Sequence, residues 1–143
     1  MRKGIESAWW VLRIGLGVGP ALAGLDKIFR TNLLADWASY ISPLATAALP
    51  LGGEAFMQIV GVIELVVGIA ILTVGTRIGA WIAMAWLLCI ALNLASTGAH
   101  FDVAVRDVEM AIAAYALARI TAEREAIMRS SSRTVSVTGH AAA

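Results

Sequence analysis

One carboxylic acid stands inside a long apolar run. Glu64 lies near the middle of AFMQIVGVIELVVGIAILTV, from Ala55 to Val74. A charged residue at the centre of a membrane-length helix costs roughly 2.5–3.5 kcal/mol on insertion scales, so it is a functional candidate by default. The chemistry open to Glu64 is proton exchange or ligand binding. The alternative is a lock, either a neutral carboxyl hydrogen-bonded to a neighbouring helix or an ion pair with Arg13. Arg13 stands about five residues into the first apolar run, or ~8 Å at 1.5 Å per residue. From there it can reach Glu64 or snorkel back to the membrane surface.

A second set of polar groups gathers at the opposite end of the apolar runs. Asp26 and Lys27 close the first run, Asn93 and His100 close the third, and Asp102, Arg106, Asp107 and Glu109 open the fourth. Asp102, Arg106 and Glu109 fall at i, i+4 and i+7, the spacing of neighbours on one helix stripe. Antiparallel third and fourth helices put Asn93 and Glu109 at similar depth. Facing one another, they would line a polar cleft open to the outer side. The competing reading is a solvated ring of loop charges with internal salt bridges.

Several chemistries are excluded or weakened. Haem wants axial ligands at matched depth, and of the two histidines only His100 is near an apolar helix, with His140 far beyond it. No Glu-x-x-His motif supports a di-iron site, and no metal site is expected. There is no phosphate-cradling loop and no Gly-x-Ser-x-Gly elbow. The single cysteine, Cys89, cannot form an intrachain disulfide or a two-cysteine redox centre, and reads as a small core or lipid-facing residue. A net charge of +1 gives no reason to expect nucleic acid.

The elements that must position these groups are membrane-length helices. The chain has 143 residues, 59% of them hydrophobic, against ~45–50% for an average soluble domain. Its apolar runs are about the length needed to cross ~30 Å of hydrocarbon. The first helix is expected from Ala8 to Leu25, kinked at Pro20, with Trp9 and Trp10 in an interfacial belt. The second runs from Glu54 or Ala55 to Val74, the third from Ile78 to Thr97 and the fourth from Val103 to Ile120. Between the first two lies a long connection, Asp26 to Gly53, in which Asn32–Ala48 could form an amphipathic interfacial helix. Asp36, Pro43 and Pro50 argue against a further span there.

Gly61, Gly68 and Gly75 recur every seven residues, so they share nearly one face with Glu64 and mark a close helix contact. Gly79, Trp86, Asn93 and His100 form a similar stripe on the third helix. Residues 121–143 turn polar and read as a disordered cytoplasmic tail after a transmembrane domain of residues 1–120. Placing Arg2, Lys3, Arg77, Arg119, Arg124, Arg129 and Arg133 on the cytoplasmic side leaves only Lys27, Arg30 and Arg106 outside, which orients the chain N-in and C-in. The expected fold is all-α: a membrane-embedded four-helix bundle with a long connection after its first helix.

The chain resembles the DoxX family of small bacterial four-helix membrane proteins over about Leu12 to Ile120. The likeness is carried by Ala-Gly-Leu-Asp-Lys-Ile-Phe (Ala23–Phe29), by Gly61-Val-Ile-Glu64-Leu-Val-Val-Gly68, by the Leu72–Arg77 turn and by the acidic fourth helix around Glu109. The resemblance implies a bacterial inner-membrane protein and a subunit or anchor of a quinone-linked or oxidative-stress-related oxidoreductase, not an autonomous enzyme. It implies that Lys27, Glu64 and Glu109 match positions of a ligand pocket, which Asn93, His100 and Arg106 would extend. Because haem ligands are lacking, no covalent cofactor is expected, and any redox group would sit on a partner or be a diffusible quinone. Two other classes stay open: a structural or assembly subunit with no chemistry of its own, and a small transporter that would have to oligomerise.

Overall fold

The computed structural model describes residues 3–48, 52–73 and 75–141. Arg2, Pro50, Val74 and the last two residues of the expected tail lie outside them. The described residues are all-helical, with no strand. α1 spans Lys3–Phe29, a short 3₁₀ turn spans Trp37–Tyr40, and α2 spans Pro43–Ala48. Three further long helices follow: α3 (Gly53–Leu72), α4 (Thr76–Ser96) and α5 (Phe101–Ala141). α1, α3 and α4 are long and apolar enough to cross a membrane. α5 is long enough, but Asp102, Arg106, Asp107 and Glu109 crowd its first turns.

The helices associate chiefly as two pairs, α1 on α3 and α4 on α5, joined by narrower contacts of α3 with α4 and of α1 with α5. The first pair is a glycine contact. A Cβ on Gly68 would lie 2.6 Å from the Gly17 carbonyl oxygen, and one on Gly61 would lie 2.8 Å from that of Gly24. Two glycine pairs, each seven residues apart, therefore meet across antiparallel helices and let the backbones touch. Gly61 and Gly68 are on this face as the spacing predicts. Gly75 is not: it sits in the turn before α4, where a Cβ would make ordinary contact with Ala70.

The second pair is an alanine contact. Ala104, Ala111, Ala114 and Ala118 are buried along one side of α5, with Leu117 beside them. Ala114, Leu117 and Ala118 meet Ala80 and Ala83 of α4 in a core that also holds Trp9, Leu16, Val67 and Ile71, while Ala104 packs with Ala91 and Leu94 of α4.

Two expectations change. The connection after α1 forms no single helix over 32–48. Ser42 and Pro43 start a fresh helix instead: the Ser42 hydroxyl accepts from the Ala45 N–H at 3.1 Å, and Pro43 takes the first helical position, where its missing N–H costs nothing. α5 also runs past Ile120 through the stretch expected to be disordered. Ala, Glu, Arg and Met in TAEREAIM are strong helix formers. Arg124 binds Glu6 of α1 at 2.9 Å, and Glu125 binds Arg77 of α4 at 3.3 Å, which tie this extension to its neighbours.

Candidate functional site

Lys27 and Glu64 make the central contact. Lys27 Nζ donates to Glu64 Oε2 at 2.6 Å, and the two side chains are only 4% and 10% exposed. The glycine face makes room for them: a Cβ on Gly61 would lie 2.9 Å from the Lys27 Cβ, so only glycine lets the lysine stem pass α3 this closely. On its other side the ammonium lies 3.6 Å from the centroid of the Trp37 indole. A desolvated contact of that kind contributes about 2 kcal/mol. The cation is therefore held between a carboxylate and an aromatic face.

Trp37 reaches this position because Asp26 folds the loop. Asp26 is buried at the end of α1. Its Oδ1 accepts from the Thr31 hydroxyl and, at 3.0 Å, from the Leu33 N–H. Its Oδ2 accepts from the Leu34 N–H at 3.1 Å and from the Trp37 indole N–H at 2.7 Å. Arg30 and Asn32 take left-handed backbone angles, φ 55° and 48°, which reverse the chain at the helix end. One carboxylate thus gathers the loop that roofs the neighbouring lysine.

Of the other residues singled out in the sequence, Asn93 on α4 and His100 in the turn between α4 and α5 hold the same loop. Asn93 Nδ2 donates to the Tyr40 carbonyl at 2.8 Å, and its Oδ1 accepts from the Ser42 hydroxyl at 2.6 Å. The His100 ring meets Tyr40 edge-on at 4.8 Å between centroids. Glu109 and Arg106 are exposed. The cleft expected between Glu64, Asn93 and Glu109 is therefore not formed. Position 109 is about 200° round α5 from position 107 at 100° per residue, and it is Asp107 that turns inward. Asp107 lies on the buried alanine face, 3.4 Å from Arg106 Nη2 and within electrostatic reach of Lys27 and Glu64.

The expected Arg13–Glu64 ion pair is likewise replaced. Arg13 lies level with the end of α3 and donates to the carbonyls of Ile71 (3.0 Å), Leu72 (2.7 Å) and Thr73 (2.6 Å). These carbonyls have no partners within their own helix, and the guanidinium fork also meets the negative end of the helix dipole. Arg13 further stacks near Trp9 and Trp10, and Trp9 donates from its indole to Thr121 at 2.8 Å.

A shallow apolar depression of about 370 Å³ lies against Ala55, Gln58, Ile59, Val62 and Ile63 of α3. By helical rotation it is on the flank away from Glu64. Within the site itself, the groups that can exchange a proton or hold a polar ligand are Glu64, Lys27 and Asp107.

Comparison of the chain with family models, with curated proteins and with solved structures gives no match.

Proposed function

We propose that this chain is an integral protein of the bacterial cytoplasmic membrane, a four-helix bundle oriented N-in and C-in. On this reading it is a DoxX-like membrane subunit of a quinone-linked or oxidative-stress-related oxidoreductase system. The observation that carries the proposal is the buried Lys27–Glu64 pair on helices of membrane length. Ionisable residues at such depth are costly, so they are candidate ligand or proton sites by default. α5 supplies the fourth span in this arrangement. Its alanine face meets α4, its acidic first turns lie at the outer boundary, and its Arg124 and Glu125 contacts lie at the cytoplasmic end with Trp9 and Trp10. A diffusible quinone suits a site of a few polar groups in apolar surroundings.

The test is native mass spectrometry of the full chain, extracted from its own membrane in mild detergent. A bound quinone or a co-purifying redox enzyme is expected. Glu64→Gln protein, normalised to the folded amount, should lose quinone-linked activity. Protein free of quinone and redox partner, together with undiminished activity of Glu64→Gln, refutes the reading.

The closed geometry of the ion pair favours one alternative, an assembly subunit whose buried charges only lock the bundle. Lys27 already has both a carboxylate and an aromatic partner. That reading predicts poor stability alone and rescue by a partner. A stable, monodisperse isolated protein counts against it.

A further inference from the structure

Of the described lysines and arginines, Lys27, Arg124 and Arg13 are the ones withdrawn from solvent. Lys27 has Glu64 and Arg124 has Glu6. Arg13 has no carboxylate. All ten Asp and Glu side chains of the chain lie among the described residues, and none forms an ion pair with it. Its guanidinium donates to the carbonyls of Ile71, Leu72 and Thr73, which fix its position but carry no net charge to balance it. Glu6 does not serve both arginines, since its two oxygens accept from Arg124 at 2.9 and 3.3 Å. Yet both guanidiniums lie against the Trp9 ring, Arg124 at 4.2 Å and Arg13 at 4.8 Å from its centroid. The surroundings of Trp9 therefore keep one positive charge in surplus. That charge sits level with the end of α3, where an apolar helix of membrane length stops. Trp10, 46% exposed, stands beside it at 5.2 Å, as an interfacial tryptophan would. From Trp10 the exposed side chains of Ile14, Val18 and Leu22 continue along the i, i+4 ridge of α1, and Gly15 and Gly19 leave open space next to them.

We propose that Arg13 holds the phosphate of an anionic phospholipid headgroup, with Trp10 at headgroup level and an acyl chain along the α1 ridge below it. The inference rests on the membrane reading above and not on its redox part. A phosphodiester oxygen accepts from the guanidinium in a charge-assisted hydrogen bond, and its negative charge cancels the surplus around Trp9. A zwitterionic headgroup brings its own cation toward Arg13 and Arg124, so a headgroup of net negative charge is preferred. Free phosphate meets the same guanidinium but gains nothing from the apolar ridge.

The experiment uses the full-length protein, recovered from alkali-washed membranes and transferred to detergent. Native mass spectrometry then follows the binding of phosphatidylglycerol, phosphatidylcholine and inorganic phosphate, each titrated separately. The expected result is one phosphatidylglycerol bound at a concentration roughly tenfold below that needed with phosphatidylcholine, the factor associated with one charge-assisted hydrogen bond, and no inorganic phosphate bound in that range. Trp10→Glu places a carboxylate three residues before Arg13, on the same helix face, and so supplies the missing counter-ion within the protein. It leaves the bonds of Arg13 to α3 in place, and the preference for phosphatidylglycerol should vanish. Trp10→Gln has the same shape without the charge and should keep the preference. Equal binding of the two lipids by the unaltered protein, a preference that survives Trp10→Glu, or one that is lost in both variants overturns the proposal. Inorganic phosphate bound as tightly as the lipid also overturns it and makes Arg13 a site for free phosphate. Absence of the protein from the washed membranes refutes the membrane reading, and the proposal falls with it.

Discussion

Removing one member of the Lys27–Glu64 pair should be far more damaging than removing both. At 2.6 Å, with an effective dielectric constant near 20, two unit charges attract by about 6 kcal/mol. Desolvation of both groups offsets much of that attraction, so the net worth of the pair is small while each half alone is a liability. Lys27→Met leaves a buried carboxylate without its cation, and Glu64→Leu leaves a buried ammonium held only by the Trp37 ring. Each single change should cost roughly 3–5 kcal/mol, and the double variant between no change and ~4 kcal/mol of gain. The coupling energy across the cycle should therefore be about 6 kcal/mol or more in magnitude. Reversible unfolding in mixed micelles, titrated with dodecyl sulfate and followed by circular dichroism, gives the four stabilities. Single variants that each cost less than about 1 kcal/mol, or a double variant equal to the sum of the singles, would refute the reasoning, because the charges would then have other partners or free access to water.

The glycines separate into two classes that thermal unfolding should resolve. Gly24→Ala and Gly68→Ala drive a methyl group into backbone atoms of the opposite helix, so each should destabilise by roughly 1–3 kcal/mol. Gly15→Ala and Gly19→Ala meet nothing within 4 Å and should raise stability by about 0.5–1 kcal/mol. Arg13→Met removes three hydrogen bonds to carbonyls, of which those of Ile71 and Thr73 keep the Thr76 hydroxyl, and should lower stability by roughly 1–3 kcal/mol, with faster amide exchange at residues 71–73. Arg13→Lys should recover only part of that, since an ammonium cannot reproduce the fork; full recovery would show that charge alone matters.

The helices were readable because apolar runs bounded by glycine and charge leave little choice of register: Gly53–Leu72 and Thr76–Ser96 differ from the expected bounds by one or two residues. The glycine face was also readable, since Gly61, Gly68 and Glu64 share it by period alone. What met that face was not readable. Lys27 is 37 positions from Glu64 in sequence, and only the antiparallel register of Gly17 and Gly24 against Gly68 and Gly61 brings it there. Arg13 looked equally able to reach Glu64, but it stands at the end of α3, where open carbonyls compete for it. At α5 a signal was present but outweighed. The charge stripe Asp102, Arg106, Glu109 pointed to Glu109. The alanines at 104, 111, 114 and 118 mark the packed side, and Asp107 continues that stripe. In a helix that packs by small residues, the acid on the alanine stripe is the buried one. The extension beyond Ile120 misled for a related reason: polar composition removes an apolar face but does not remove helix propensity.

Asp26 and Lys27 show how two adjacent residues of opposite charge divide one task. A step of one residue turns the helix by about 100°, so neighbours in sequence face different surroundings. Lys27 turns toward α3 and its charge is spent on Glu64. Asp26 turns toward the loop, and its charge is spent on Thr31, Leu33, Leu34 and Trp37. The two roles are coupled through Trp37: its N–H is held by Asp26 and its ring covers Lys27. An ion pair keeps its strength only while water is excluded, because attraction falls with the local dielectric. Asp26 therefore acts on the Lys27–Glu64 pair without touching Glu64, by holding in place the ring that shields the ammonium. The same carboxylate ties the start of the connection to the end of α1, since the backbone N–H groups at Leu33 and Leu34 and the Trp37 indole share it as a buried acceptor.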